Sequence, residues 1–228
     1  MTRIVTFDAG QTLVELDLDF LAKRVAVCDV VVDATALHIA APAAWRHYDA
    51  LVDAGELDHP AMWRSLMAHL LEGAAASGDV AAAAAWLYEQ QPAANLFRKP
   101  IAGMVELARE LANGGARVAV VSNSEGGLAA LMAEIGIANA FELIVDSTRV
   151  GIAKPDPRIF EYVVARLGGD GADCVHVGDS WAADVPGALA AGWRAIWFGR
   201  HARPVADPRV TSARDPDDVR HALRGSRV

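Results

Sequence analysis

Three observations predict an α/β fold for this chain: a Rossmann-like parallel sheet core flanked by helices, with an inserted α-helical subdomain. Short apolar β-type runs alternate with helical patterns through the second half of the sequence, the signature of βαβ units. One strand of the same kind stands alone near the beginning, and the next arrives only after Gly115. The stretch between them, residues 17–97, is helix-like throughout and too long for a loop. The expected organisation is an α/β core over residues 1–16 and 98–228, with a helical insertion over 17–97.

The first strand is the run Arg3-Ile-Val-Thr-Phe7, which ends at Asp8. In the insertion, Trp45, Tyr48, Trp63, Leu66, Leu70, Trp86 and Leu87 recur at helical spacings. Helical stretches are then expected near Ile101–Ala112, Gly127–Ile135, Pro157–Leu167 and Ala182–Ala191. Strands are expected at Arg117–Val121, Leu143–Val145, Cys174–Val177 and Arg194–Phe198. Gly168-Gly169 reads as a helix stop, and Asp215-Pro-Asp-Asp starts a final helix.

Composition narrows the function classes. The chain has 228 residues, 53% of them apolar, enough for a sizeable core. A formal charge of -8 without any Lys/Arg run argues against a nucleic-acid partner. An anionic substrate would therefore need a local focus of positive charge. The two cysteines, Cys28 and Cys174, each fall in an apolar stretch and read as buried thiols. The alanine-rich segment around 74–85 contains Glu72, Ser77, Gly78 and Asp79 nearby, so no membrane partner is expected. Met1-Thr-Arg leads straight into a strand with no secretory apolar run, and a cytoplasmic location is expected.

Four segments place polar residues where strands end. The first is FDAGQTL, with Asp8 and Thr12. The second is VVSNS, with Ser122 and Asn123. The third is KPDPRIF, where Pro155 and Pro157 hold Lys154 on a rigid approach to a helix. The fourth is VGDSWAAD, with Asp179 and Asp184. Singly, each has an ordinary structural reading as a turn, an N-cap or a solvated lysine. In this order, each at a sheet edge, they suit phosphoryl transfer. A carboxylate can accept a phosphoryl group covalently and pass it to water. Mg²⁺ prefers oxygen ligands from one or two carboxylates, with water and phosphate completing its shell. Asp8, Asp179 and Asp184 could supply those carboxylates. Lys154 would offset charge, while Ser122 and the amides around Asn123 donate to phosphoryl oxygens.

The four segments resemble, in order, the signatures of the haloacid dehalogenase superfamily of hydrolases. The resemblance covers about Arg3 to Phe198, and the insertion looks like that family's helical cap following the first strand. It implies Asp8 as nucleophile, Ser122 as a phosphate donor and Lys154 as the charge-compensating lysine. It also implies Mg²⁺ held by Asp8, the carbonyl of Gly10, Asp179 and Asp184. Thr12, Ser122, Asn123 and Lys154 would then contact a small phosphorylated substrate.

Gly10 departs from the pattern, because family phosphatases carry an aspartate there to protonate the leaving alcohol. Losing a general acid–base costs about 10²- to 10⁴-fold. Alkyl esters would suffer most and acyl or aryl phosphates least. Glu15 and Asp17 lie further along and are candidates to reach in. Three readings stay open: a Mg²⁺-dependent phosphatase, a metal-independent 2-haloacid dehalogenase-like hydrolase, and a degenerate member that binds a phosphorylated ligand without turnover. Two carboxylates in VGDSWAAD favour the first. His176, within an apolar strand, reads as a satisfied core imidazole.

Overall fold

The strand order of the main sheet explains why its carboxyl edge is the place for chemistry. The computed structural model describes residues 3–54, 58–169 and 173–224. In chain order the elements begin with β1 (Ile4–Phe7), β2 (Val14–Leu16), α1 (Leu18–Val25), α2 (Ala34–Asp53), α3 (His59–Gly73) and α4 (Val80–Gln90). There follow β3 (Phe97–Pro100), α5 (Met104–Asn113), β4 (Arg117–Ser122), α6 (Leu128–Glu134), β5 (Leu143–Asp146) and α7 (Ser147–Val150). The chain continues through α8 (Arg158–Leu167), β6 (Cys174–Gly178), α9 (Trp181–Ala190), β7 (Arg194–Phe198), β8 (Val210–Ala213) and α10 (Pro216–Arg224).

Six strands form one sheet in the order β5-β4-β1-β6-β7-β8, with every pairing parallel. β1 lies between β4 and β6, so the connections leave it toward opposite edges of the sheet. The carboxyl end of β1 is therefore the topological switch point where open α/β sheets bind ligands. All four residues of β1 are buried, as expected for a parallel strand covered on both faces.

Alternation along the strands divides the core. Val5 and Phe7 pack with Val118, Val120, Val175 and Val177 on one face, under Met104 and Leu107 of α5 and Val219 of α10. Ile4, Ala119, Val121 and Cys174 line the other, against Phe160 of α8, Val185 of α9 and Trp193. Burial of a side chain such as Phe160 contributes about 1.5–3 kcal/mol. α8 buries Ile159, Phe160, Val163 and Leu167, one stripe of an amphipathic helix, and stops at Gly168 with φ 69°.

Each expected strand and helix of the core is present, with ends shifted by a few residues. α5 begins at Met104 rather than Ile101, because Gly103 adopts φ 86° and its N–H donates to the Glu106 carboxylate at 2.9 Å. Two features have no counterpart in the sequence reading. β2 and β3 form a short antiparallel ladder, and β8 joins the sheet edge beside β7. Their residues, Val-Glu-Leu, Phe-Arg-Lys-Pro and Val-Thr-Ser-Ala, form no apolar run, and pairing supplies what local pattern lacks.

The chain divides into two compact units, Met1–Leu16 with Phe97–Val228, and Asp17–Leu96. In the second unit α1, α2, α3 and α4 all start on an aspartate N-cap. Asp17, Asp33, Asp58 and Asp79 accept from the backbone N–H three residues on, each at 2.9 Å. Its interior is built from Leu21, Val25, Leu37, Met62, Leu66, Leu70, Leu71 and Leu87. Among the described residues no helix is long and apolar enough to cross a membrane.

Candidate active site

Asp8 follows the last residue of β1, and its N–H donates to the Val177 carbonyl of β6 at 2.8 Å, so the sheet ladder carries it to the switch point. Its side chain is almost wholly buried. A buried carboxylate needs a partner, and it has one. Lys154 Nζ donates to Asp8 Oδ1 at 2.6 Å and to Asp184 Oδ1 at 2.5 Å. These three charged side chains arrive from β1, the segment between α7 and α8, and the first turn of α9.

Lys154 is placed by Asn123. The Asn123 side chain accepts from the Lys154 N–H at 2.8 Å and donates to the Lys154 carbonyl at 2.9 Å. Asn123, expected to serve a substrate, thus commits its side-chain amide to the lysine's backbone. Ser122 ends β4 and is buried beside the β1 terminus. The loop after it is anchored by a residue that sequence reasoning missed. Asp146 accepts from Gly126 N at 3.1 Å, Leu128 N at 3.2 Å and Thr148 N at 3.1 Å. An aspartate ending a β-strand is too ordinary a pattern to have signalled this.

Asp184 is held from three sides. Besides Lys154, His176 Nε2 approaches its Oδ1 at 3.0 Å, and the Ser180 N–H donates to Oδ2 at 2.9 Å. Ser180 also caps α9, its Oγ accepting from Ala183 N at 3.3 Å. The helix start further favours a carboxylate there. Gly178 is required for this arrangement, since a Cβ at that position would overlap the Asp184 carboxylate. Asp179 differs. Its backbone carbonyl accepts from Trp197 Nε1 at 3.0 Å, but among the described residues its carboxylate accepts no hydrogen bond.

These contacts set the protonation balance. Burial works against the charge on Asp184, but Lys154 and His176 outweigh it and hold the carboxyl far below its ordinary value. Burial also opposes the Lys154 ammonium, yet Asp184 and Asp8 hold its pKa above the usual lysine value. Burial raises Asp8 and the like charge of Asp184 adds to it, together outweighing Lys154. Asp179 is pushed well up, first by burial and then by Asp8 and Asp184. Burial lowers His176, which keeps the imidazole neutral. Asp8 and Asp184 thus divide one ammonium, which acts on Asp179 only at a distance.

The turn after β1 is tight and less fully satisfied. Leu13 N and Val14 N both donate to the Ala9 carbonyl, at 2.8 and 3.0 Å, and Gln11 stands at φ 54°. Thr12 is fully buried, and its Oγ1 and the Gln11 Nε2 have no hydrogen-bond partner among the described residues. A Cβ placed on Gly10 would have nothing within 4 Å, and Gly10 is not among the positive-φ glycines. Space and backbone both admit an aspartate there. Neither candidate substitute acid is uncommitted: Glu15 pairs with Lys99 at 2.9 Å, and Asp17 caps α1.

A family model described as haloacid dehalogenase-like hydrolase matches residues 2–192. The chain belongs to the haloacid dehalogenase-like hydrolases. Phosphoserine phosphatase from Thermus thermophilus is 39% identical over 88 residues, and that match spans 39% of this chain and only 35% of that relative. Glyceraldehyde 3-phosphate phosphatase from Methanopyrus kandleri is 27% identical over 224 residues, covering 96% of this chain and 91% of its own length. Among solved structures, the haloacid dehalogenase-type hydrolase YfnB from Bacillus subtilis, bound to magnesium, superposes with a TM-score of 0.67 at 18% identity. The overlap covers 97% of this chain and 98% of that one, a likeness of fold.

Proposed function

We propose that this haloacid dehalogenase-like hydrolase is a phosphatase of a small phosphorylated molecule, working through an aspartyl-phosphate on Asp8 with Mg²⁺ as cofactor. The observation that carries the reading is the buried Lys154 ammonium bridging Asp8 and Asp184 at 2.6 and 2.5 Å at the switch point of the sheet. The phosphatase relatives support the same reaction class.

The donor set fits magnesium. Among the described residues no three His, Cys, Asp or Glu side chains make a ready-built metal cage. Mg²⁺ does not need one, since it binds through one or two carboxylates and keeps water and phosphate for the rest. Asp8, Asp179 and the Gly10 carbonyl would hold it, all hard oxygen donors. Asp184 would back them with charge, because three of its lone-pair sites already accept hydrogen bonds. Burial first, then Asp8 and Asp184, raise the Asp179 pKa, and a divalent cation held there would favour its charged form. When bound, the ion would neutralise phosphoryl oxygens against these carboxylates.

Asp8 attacks phosphorus as the bond to the leaving oxygen breaks, and water later cleaves the Asp8–phosphate bond. Lys154 offsets charge on Asp8 and on the phosphoryl group. Ser122 Oγ and the unpartnered Thr12 Oγ1 donate to phosphoryl oxygens. With Gly10 in place of an acid and both Glu15 and Asp17 engaged, no proton is offered from this turn. Substrates whose leaving groups need none, acyl or aryl phosphates, are therefore favoured.

Acetyl phosphate, p-nitrophenyl phosphate, alkyl phosphates and 2-haloacids, each assayed with Mg²⁺ and with chelator, test this. Magnesium-dependent phosphate release, faster from the first two, is expected. Chelator-insensitive halide release without phosphate release would overturn it in favour of the dehalogenase reading, which Gly10 alone supports.

A further inference from the structure

We infer that His176 is a positioning residue: with Thr6 behind it, the imidazole fixes the Asp184 carboxylate and, through it, the direction in which Lys154 meets Asp8. That Lys154 acts in turnover rests on the function proposed above.

Thr6 and His176 are direct cross-strand partners on β1 and β6. Both are fully buried, on the sheet face otherwise lined by Ile4, Val121 and Cys174. The Phe160 ring stands edge-on to the imidazole at 5.0 Å. Two polar side chains in such surroundings are costly unless hydrogen-bonded. Thr6 Oγ1 lies 2.8 Å from His176 Nδ1, whereas its other acceptor, the Val175 carbonyl, is 3.5 Å away, at the limit of a hydrogen bond. The threonine hydroxyl therefore donates to Nδ1, which leaves the ring proton on Nε2. Nε2 faces Asp184 Oδ1 at 3.0 Å.

That oxygen is the one Lys154 also uses. Without the imidazole donor, Asp184 Oδ1 would be held by the lysine alone, and the lysine is already divided between two carboxylates. The carboxylate could rotate about its Ser180 tether and draw the ammonium away from Asp8. A histidine present only to fill space has no need of a set tautomer. The relay Thr6–His176–Asp184–Lys154 runs from the sheet interior to the carboxylate at its edge.

Nitrogen-15 NMR of the imidazole should show the Nε2–H tautomer in the unmodified protein, and Thr6→Val, which leaves Nδ1 without its donor, should shift the Nδ1 resonance and lower kcat. With p-nitrophenyl phosphate and Mg²⁺, His176→Leu should lower kcat about 10- to 100-fold, the usual effect of removing an outer-shell partner, with KM little changed. His176→Gln places an N–H donor near the same oxygen and should recover most of that loss. Equal losses in the Gln and Leu variants, unchanged kcat in His176→Leu, or a ring proton on Nδ1 would each overturn the inference. Should His176→Leu fail to fold, the Gln and Thr6→Val variants still decide it. The tautomer needs no turnover to be read, so an unmodified protein inactive on every phosphate would defeat the proposed reaction while the NMR arm judges the relay.

Discussion

The turn after β6 and the turn after β1 serve the same sheet edge and are built in opposite ways. In the first, Asp184 receives Lys154, His176 and the Ser180 N–H, and Gly178 makes room for it. In the second, a Cβ on Gly10 would meet open space, and among the described residues Thr12 Oγ1 and Gln11 Nε2 have no hydrogen-bond partner. A saturated group is oriented before any ligand arrives, whereas an unsatisfied one keeps its hydrogen-bonding capacity for what binds. One turn therefore sets the charge at the edge, and the other leaves a place to be completed.

The largest effect should come from the residue both turns flank. Asp8→Asn keeps the shape but cannot accept a phosphoryl group, and kcat on acetyl phosphate should fall by about 10⁴-fold or more. Hydrolysis at the original rate would remove Asp8 from the reaction. Filling the open side comes next. Gly10→Asp should raise kcat/KM on alkyl phosphates by up to about 10²- to 10⁴-fold, with a Tm close to the original because a Cβ there meets nothing. A folded variant with no gain would mean that proton transfer is not what limits alkyl esters.

The third effect concerns metal-free stability. Asp179 ionises less readily folded than unfolded. The folded state thus holds more protons than the unfolded state above the ordinary value of 3.8. Stability of the metal-free protein should fall as pH rises from there through the raised value, by at most about 1.4 kcal/mol per pH unit from Asp179, with Asp8 adding in the same direction. Asp184 acts with the opposite sign, its contribution being lost only at much lower pH. Thermal unfolding against pH, with and without Mg²⁺, measures this, and the metal should remove the slope. The smallest change is Asn123→Ala. It deletes both hydrogen bonds to the Lys154 backbone and should cost about 1–2 kcal/mol in denaturant unfolding.

Much of this was readable from the chain. Parallel strands buried on both faces announce themselves as unbroken apolar runs, so β1, β4, β6 and β7 and the residues that follow them stood out. Asp8, Lys154 and Asp184 do meet, although Lys154 comes from the segment between α7 and α8 and Asp184 from the first turn of α9 rather than from strand ends. Relations that depend on three-dimensional neighbours did not show. Nothing about Asn123 indicates that its amide grips the lysine backbone 31 residues away. His176 looks like any core histidine until Thr6 is found across the ladder. Gly178 reads as turn chemistry, while its actual reason is a carboxylate packed where a methyl group would go. β2, β3 and β8 were hidden because polar residues interrupt them, whereas the equally short edge strand β5 shows as Leu-Ile-Val.

Gly187 gives the molecule one more property. A Cβ at that position on α9 would come within 2.5 Å of the Pro155 carbonyl, so the helix bearing Asp184 rests directly on the backbone next to Lys154. The backbones that carry the carboxylate and the ammonium are thereby seated main chain against main chain, and His176 and the Ser180 N–H have only the last bonds of the Asp184 side chain left to aim.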